Sequence, residues 1–247
     1  MLVFCLLLCR GSKDEPRLVC ALQHAPPCFV YAAVFQPAVL DLTRGTTAAG
    51  PNNDSPRSEA SECALVVTGA YDRQLRLWDV PMTASHGGRA KMLGTLSNKV
   101  VHESHVNSIV YDPKSSRLYS GDGVGAIVVW RRTSGGRAGV EDYNVQHADL
   151  VGKAITSLAL TSRLRRGQLL VQAHGNTLRL LDLGTYQLVN PGFAGGDASG
   201  SLVRASFSPD GRFVVSGSEK GQVRVWEAQE GKRVRTPLQV SGGVCSI

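Results

Sequence analysis

Four residues in the first third of the chain have the makings of a hydrolytic site. Thr68 offers a hydroxyl, Asp72 a carboxylate and His24 an imidazole, and Trp78 closes the stretch LVVTGAYDRQLRLWDV at residues 65–80. A hydroxyl activated by an imidazole that a carboxylate orients is the constellation of nucleophilic acyl transfer. Such chemistry needs the three groups to converge, with donors placed to hold an oxyanion. Whether they converge depends on the elements that carry them.

Those elements repeat. QLRLW ends at Trp78, AIVVW at Trp130 and QVRVW at Trp226, and TLRLLDL puts Leu181 in the tryptophan position between the last two. The steps are 52, 51 and 45 residues, near the period of propeller blades with loop insertions. Ten residues before each stand Thr68, Ser120, Val171 and Ser216, in the runs LVVTG, RLYSG, LLVQA and FVVSG. Earlier still come VYAAVFQP, VNSIVYDP, ITSLALTS and VRASFSPDG. These are short runs of β-formers separated by turn residues. In SPDG at 208–211, Pro209 fixes φ and Gly211 accepts a φ that other residues resist. No segment sustains a helical period. The fold class is therefore all-β, with repeats over about 24–80, 102–130, 155–183 and 203–228.

Composition agrees with a packed globule. Of 247 residues, 43% are hydrophobic and 19% charged, enough apolar surface to exclude a disordered chain. The net charge of +7 permits acidic partners, lipid headgroups or nucleic acid and selects none. The six cysteines form no C-x-x-C pair, so no metal site is expected, and free thiols in a reducing compartment explain them. The apolar run in MLVFCLLLCR is too short to span a bilayer and lacks the flanks of a signal peptide. Residues 1–17 read as a leader or a remnant strand, and 18–247 as the repeat domain. Residues 38–63 read as a surface insertion that splits the first repeat; RRTSGGRAGVED at 131–142 and NPGFAGGDASGS at 190–201 read as glycine-rich loops.

VVTGAYDRQLRLWDV and FVVSGSEKGQVRVWEA resemble WD repeats. The resemblance implies a β-propeller of four-stranded blades, usually seven, and a buried network in each well-formed repeat. That network joins a histidine before the first strand, a serine or threonine on the second, an aspartate in the next turn and the tryptophan on the third. In repeat one it falls on His24, Thr68, Asp72 and Trp78. In repeat two it falls on His102, Ser120 and Trp130, with Val124 in the aspartate position. Repeat three has Val171, Gly175 and Leu181, so no network. Repeat four keeps Ser216 and Trp226, with Lys220 in place of the aspartate. The order of FVYAAVFQPAV, LYSGDGVGAIVVW and NTLRLLDL further resembles the WD region of the jouberin-like proteins. Those are non-enzymatic scaffolds of the ciliary transition zone and basal body.

The last four residues, Val244 to Ile247, align with Val106 to Ile109. Four blades and the start of a fifth imply a partial propeller or part of a seven-blade ring, since free sheet edges invite pairing. Enzyme signatures such as G-x-S-x-G, H-E-x-x-H and the Walker loop are missing. GDGVGA at 121–126 lies between strands and reads as a hairpin turn, not a dinucleotide fingerprint. The expectation is a non-catalytic platform for protein partners, without cofactor or membrane span, in the cytoplasm, cilium or basal body. The alternative is an adaptor of another complex, a ribonucleoprotein included, contacting RNA through the basic clusters at 131–132, 163–166 and 232–235; a hydrolase ranks last. No aromatic residues interleave with those arginines to form a stacking platform. Tyr71, Arg73, Glu219, Lys220 and Gln222, in or beside two turns, are the candidate surface contacts, and Asp72 shares the first of those turns.

Overall fold

The computed structural model describes residues 4–10, 16–23, 28–36, 63–81, 90–96, 101–132, 138–145, 147–161, 167–190, 192–193, 203–218, 220–234 and 238–239. Among them there is no helix, and all pairing between strands is antiparallel. A hairpin of β1 (Phe4–Arg10) and β2 (Pro16–Gln23) comes first, so β2 starts two residues before the expected boundary at 18. Blade one is β3 (Val30–Gln36), β4 (Cys63–Ala70), β5 (Leu75–Pro81) and β6 (Lys91–Thr95). Blade two is β7 (Val106–Asp112), β8 (Arg117–Asp122), β9 (Ile127–Arg132) and β10 (Ala138–Val145). Blade three has β11 (Ile155–Thr161), β12 (Gln168–Ala173) and β13 (Thr177–Asp182), with a single bridge from Leu181 to Leu188 beyond its edge. Blade four is β14 (Ala205–Phe207), β15 (Phe213–Ser216), β16 (Gln222–Glu227) and β17 (Leu238–Gln239).

The first strands β3, β7, β11 and β14 lie side by side in series, so the sheets stack blade against blade as in a propeller. The second strands of blades one to three then bury both faces, and neighbouring residues of one strand enter different cores. Val67 of β4 packs with Val106, Ile109 and Leu118 of blade two, while Val66 turns the other way to Leu22 and Trp78. Tyr119 and Val129 meet Ile155, Leu169 and Val171, and Leu170 and Leu180 meet Val214 and Trp226. Two-sided burial is why the second strands read as the unbroken apolar runs LVV and LLV instead of alternating. Each fully buried leucine of this kind contributes roughly 1.5–3 kcal/mol.

Polar bonds tie the inner strands together. Asn107 Nδ2 donates to the Ile155 carbonyl at 3.0 Å, Thr156 Oγ1 to that of Val203 at 2.9 Å and Ser157 Oγ to that of Ala205 at 3.3 Å. The same β-bulge, one residue into the first strand, recurs at Val30/Ala32, Val106/Ser108 and Ile155/Ser157. The SPDG turn closes with the Gly211 amide on the Ser208 carbonyl at 2.8 Å and Gly211 at φ +75°.

One loop expectation needs correction. Residues 138–142 are strand, since β10 begins at Ala138 and pairs with β9. An outer strand is held by backbone bonds, so glycine-rich sequence did not prevent it. The described residues of the 190–201 stretch are loop, as read, and are partly buried. Phe193 is 5% exposed and sits edge-on to Trp226 at 5.9 Å, and Asn190 Nδ2 donates to the Ala228 carbonyl at 2.8 Å. Nearly all of the 38–63 insertion, the 163–166 cluster and residues 244–247 lie outside the described residues.

Candidate functional site

Blade two holds a four-membered polar chain. Trp130 Nε1–H donates to Ser120 Oγ at 2.7 Å. His102 Nε2 lies 2.7 Å from the same oxygen, and its Nδ1 lies 3.2 Å from Asp122 Oδ2. Indole can only donate and a carboxylate can only accept. With the imidazole neutral, its proton therefore sits on Nδ1 and the Ser120 hydroxyl donates to Nε2. Asp122 Oδ1 also accepts the amides of Val124 and Ala126 at 3.0 and 2.9 Å, which closes the β8–β9 turn. Burial pushes the Asp122 carboxyl up; the bonds from His102, Ala126 and Val124 outweigh it and hold the group below its ordinary value.

The reading that blade two lacks its aspartate is thus corrected. Val124 does occupy the expected position, four residues after Ser120, but Asp122, two after it, supplies the carboxylate. Asp122 ends β8, close enough to reach back to His102. Spacing along the chain could not reveal this; an aspartate flanked by the turn glycines was the available signal. The connectivity Ser120–His102–Asp122 is that of a hydrolytic triad. Yet Ser120 and Asp122 are 0% exposed and His102 2%, so no substrate carbonyl can reach Oγ. The chain holds a blade together.

The other blades use parts of this scheme. In blade one Trp78 Nε1 donates to Thr68 Oγ1 at 2.8 Å, and Thr68 is fully buried. Asp72 grips Arg76 through both guanidinium nitrogens and accepts the Gln74 amide at 3.3 Å. Arg76 is 5% exposed, so Asp72 neutralises a buried charge, a role the sequence reading missed. His24 lies outside the described residues. In blade three Val171 and Leu181 are fully buried in an apolar cluster. In blade four Ser216 Oγ donates to the Gly217 carbonyl at 3.1 Å and approaches Gln172 Oε1 of blade three at 3.5 Å, while Trp226 is 1% exposed.

The exposed chemistry lies where the loops before the first strands meet the turns after the second. Tyr71 is 60% exposed, and Arg73 beside it is exposed at φ +66°. The Tyr71 amide donates to the Phe29 carbonyl at 2.8 Å, which brings two distant segments together. Phe29 stacks with Tyr31 at 6.5 Å, Tyr31 tilts toward His105 at 5.3 Å, and Tyr71 stacks on His105 at 6.0 Å. An exposed aromatic platform therefore exists; the sequence reading considered only rings beside the arginine clusters. The fold gathers these rings from three segments. Lys220 is exposed in the β15–β16 turn, Gln222 opens β16 half-buried, and Glu219 lies outside the described residues. Among the described residues no group of three or more His, Cys, Asp or Glu is placed to hold a metal ion, and no helix is long and apolar enough to cross a membrane.

Residues 195–227, which include all of β14, β15 and β16, match the WD domain, G-beta repeat family. That stretch is similar to the WD repeat. Over the longer chain, the similarity is to jouberin. Jouberin of Mus musculus is 29% identical over 233 residues, covering 91% of this chain and 19% of jouberin. Jouberin of Rattus norvegicus is 28% identical over 239 residues with the same shares. Protein tipD of Dictyostelium discoideum is 27% identical over 187 residues, covering 74% of this chain and 27% of tipD. The chain thus spans 19% of the length of the two jouberins it matches. The blades described above bury Thr68, Ser120, Trp78, Trp130 and Trp226.

Proposed function

We propose that this chain is a non-catalytic scaffold that presents WD blades to other proteins, acting as jouberin-like proteins do in cilium assembly at the transition zone or basal body. The observation that supports it most is the similarity to jouberin along 91% of the chain, the tryptophan-less third repeat included. The physical reading points the same way. The polar side chains with triad-like connectivity are buried, whereas the exposed rings lie on loops and turns, where binding residues concentrate, or, for Tyr31, near the start of β3. Tyr71, Arg73 and Lys220 are the contacts this reading favours, with Glu219 and Gln222 beside them. The test is affinity capture of the tagged chain from ciliated cells, with imaging of its position. Recovery of transition-zone or basal-body proteins together with a signal at the ciliary base is the expected result. Diffuse signal and recovery of none of them would remove the ciliary reading.

A further inference from the structure

The aromatic platform is one end of a longer row. Gly123 donates its amide to the His105 carbonyl at 3.0 Å, and Gly152 donates to the Val124 carbonyl at 2.9 Å. These bonds join the loop of His105, the β8–β9 turn and the turn before β11 edge to edge. Val124 and Val151, at the tips of those two turns, are 37% and 65% exposed. Phe29 and Tyr31, 48% and 38% exposed, begin the row on blade one. Exposed apolar side chains in one line, on turns that fix their place, mark a contact surface more than chance exposure does.

Charge then selects the partner. Two carboxylates near this face are paired with guanidinium groups, Asp72 with Arg76 and Asp149 with Arg179, the last at 2.9 Å, and Asp122 is fully buried on its imidazole and amide partners. Glu103 adds one exposed carboxylate. Against it stand Arg73 beside the rings and Lys153, whose ammonium donates to the Thr177 hydroxyl at 2.9 Å and, after Arg179, helps hold the Asp149 carboxyl down. Arg204, exposed, holds in blade four the position that Tyr31 holds in blade one, directly after the residue that opens the repeat. The face is positive and partly apolar, which suits a negative partner carrying large apolar side chains. The two valines favour peptide over nucleic acid: a base needs a ring to stack on, and an aliphatic turn tip offers none.

We propose that this row takes an extended acidic segment of a partner protein. Its aromatic or aliphatic side chains lie on the Tyr31, Tyr71 and His105 rings and the Val124–Val151 tips, with its carboxylates toward Arg73 and Lys153. The proposal rests on the scaffold reading above and names the partner's chemistry. The test selects random peptides of about twelve residues on the intact chain. Binders are then measured against the Tyr31→Ala/Tyr71→Ala double variant and against Arg73→Glu, each checked for an unchanged thermal melt. The expected binders are rich in Asp and Glu with Trp, Phe or Leu, lose about tenfold or more in affinity to the ring variant, and also weaken with Arg73→Glu. Binders rich in Lys and Arg, or indifferent to the ring variant, overturn the assignment and leave the scaffold reading standing. A selection that yields no binder overturns both. An oligouridylate of about twelve nucleotides that binds the intact chain and fails on the ring variant overturns the peptide in favour of single-stranded nucleic acid.

Discussion

Ser120 serves two buried partners with one hydroxyl, His102 and Trp130, both at 2.7 Å. Ser120→Ala strands a ring nitrogen and an indole N–H away from water. The expected cost is roughly 2–6 kcal/mol by urea denaturation, since each buried polar group left unpaired costs about 1–3 kcal/mol. Asp122 adds a pH dependence. Its carboxyl ionises more readily folded than unfolded, so it stabilises the protein above the unfolded value of about 3.8. That contribution is lost as pH falls through the lower, folded value. Thermal melts should show wild type above Asp122→Asn at neutral pH, with the gap closing under acid. Asp72→Ala leaves Arg76 buried without its carboxylate and should cost about 1–3 kcal/mol. At this scale the sequence disclosed the serine, threonine and tryptophan positions, because strands fix their ten-residue spacing. Asp122 and the Asp72–Arg76 pair were hidden, because a turn can present a carboxylate from more than one position.

Between elements, glycines decide how closely blades approach. A Cβ on Gly69 would lie 2.6 Å from Val106 Cγ1, and one on Gly121 would lie 2.7 Å from Ile155 Cγ2. Both follow the hydroxyl residue of the second strand, and both face the opening residue of the next blade. Gly121→Ala should therefore push blade three from blade two and cost about 1–3 kcal/mol as overpacking, read as a lower urea midpoint with the slope unchanged. The first three strands of each blade were legible because they carry core residues. The fourth strands were not: β6 reads KMLGT with two exposed ends, and β10 starts in a glycine-rich run. Outer strands are recruited by backbone pairing and need no apolar pattern.

Across the whole molecule, stability is shared between neighbouring sheets, each core cluster being built from two of them. Inner strands flanked by blades on both sides should open least. Hydrogen exchange is expected to be slowest in β8 and β12 and fastest in β1 and β17, the reverse order counting against blade-on-blade stacking. The repeat architecture was legible from the spacing of Trp78, Trp130, Leu181 and Trp226 and the β-rich runs before them. The aromatic face was not, since Phe29, Tyr71 and His105 are far apart in the chain and meet only when blades one and two pack. That face carries the central claim, that the molecule works by presenting a fixed surface to proteins. The most direct measurement compares proteins captured from ciliated cells by wild type and by the Tyr31→Ala/Tyr71→Ala variant at equal abundance and equal melting temperature. The account predicts that a defined set of partners is lost with the rings. An identical set from both would contradict it.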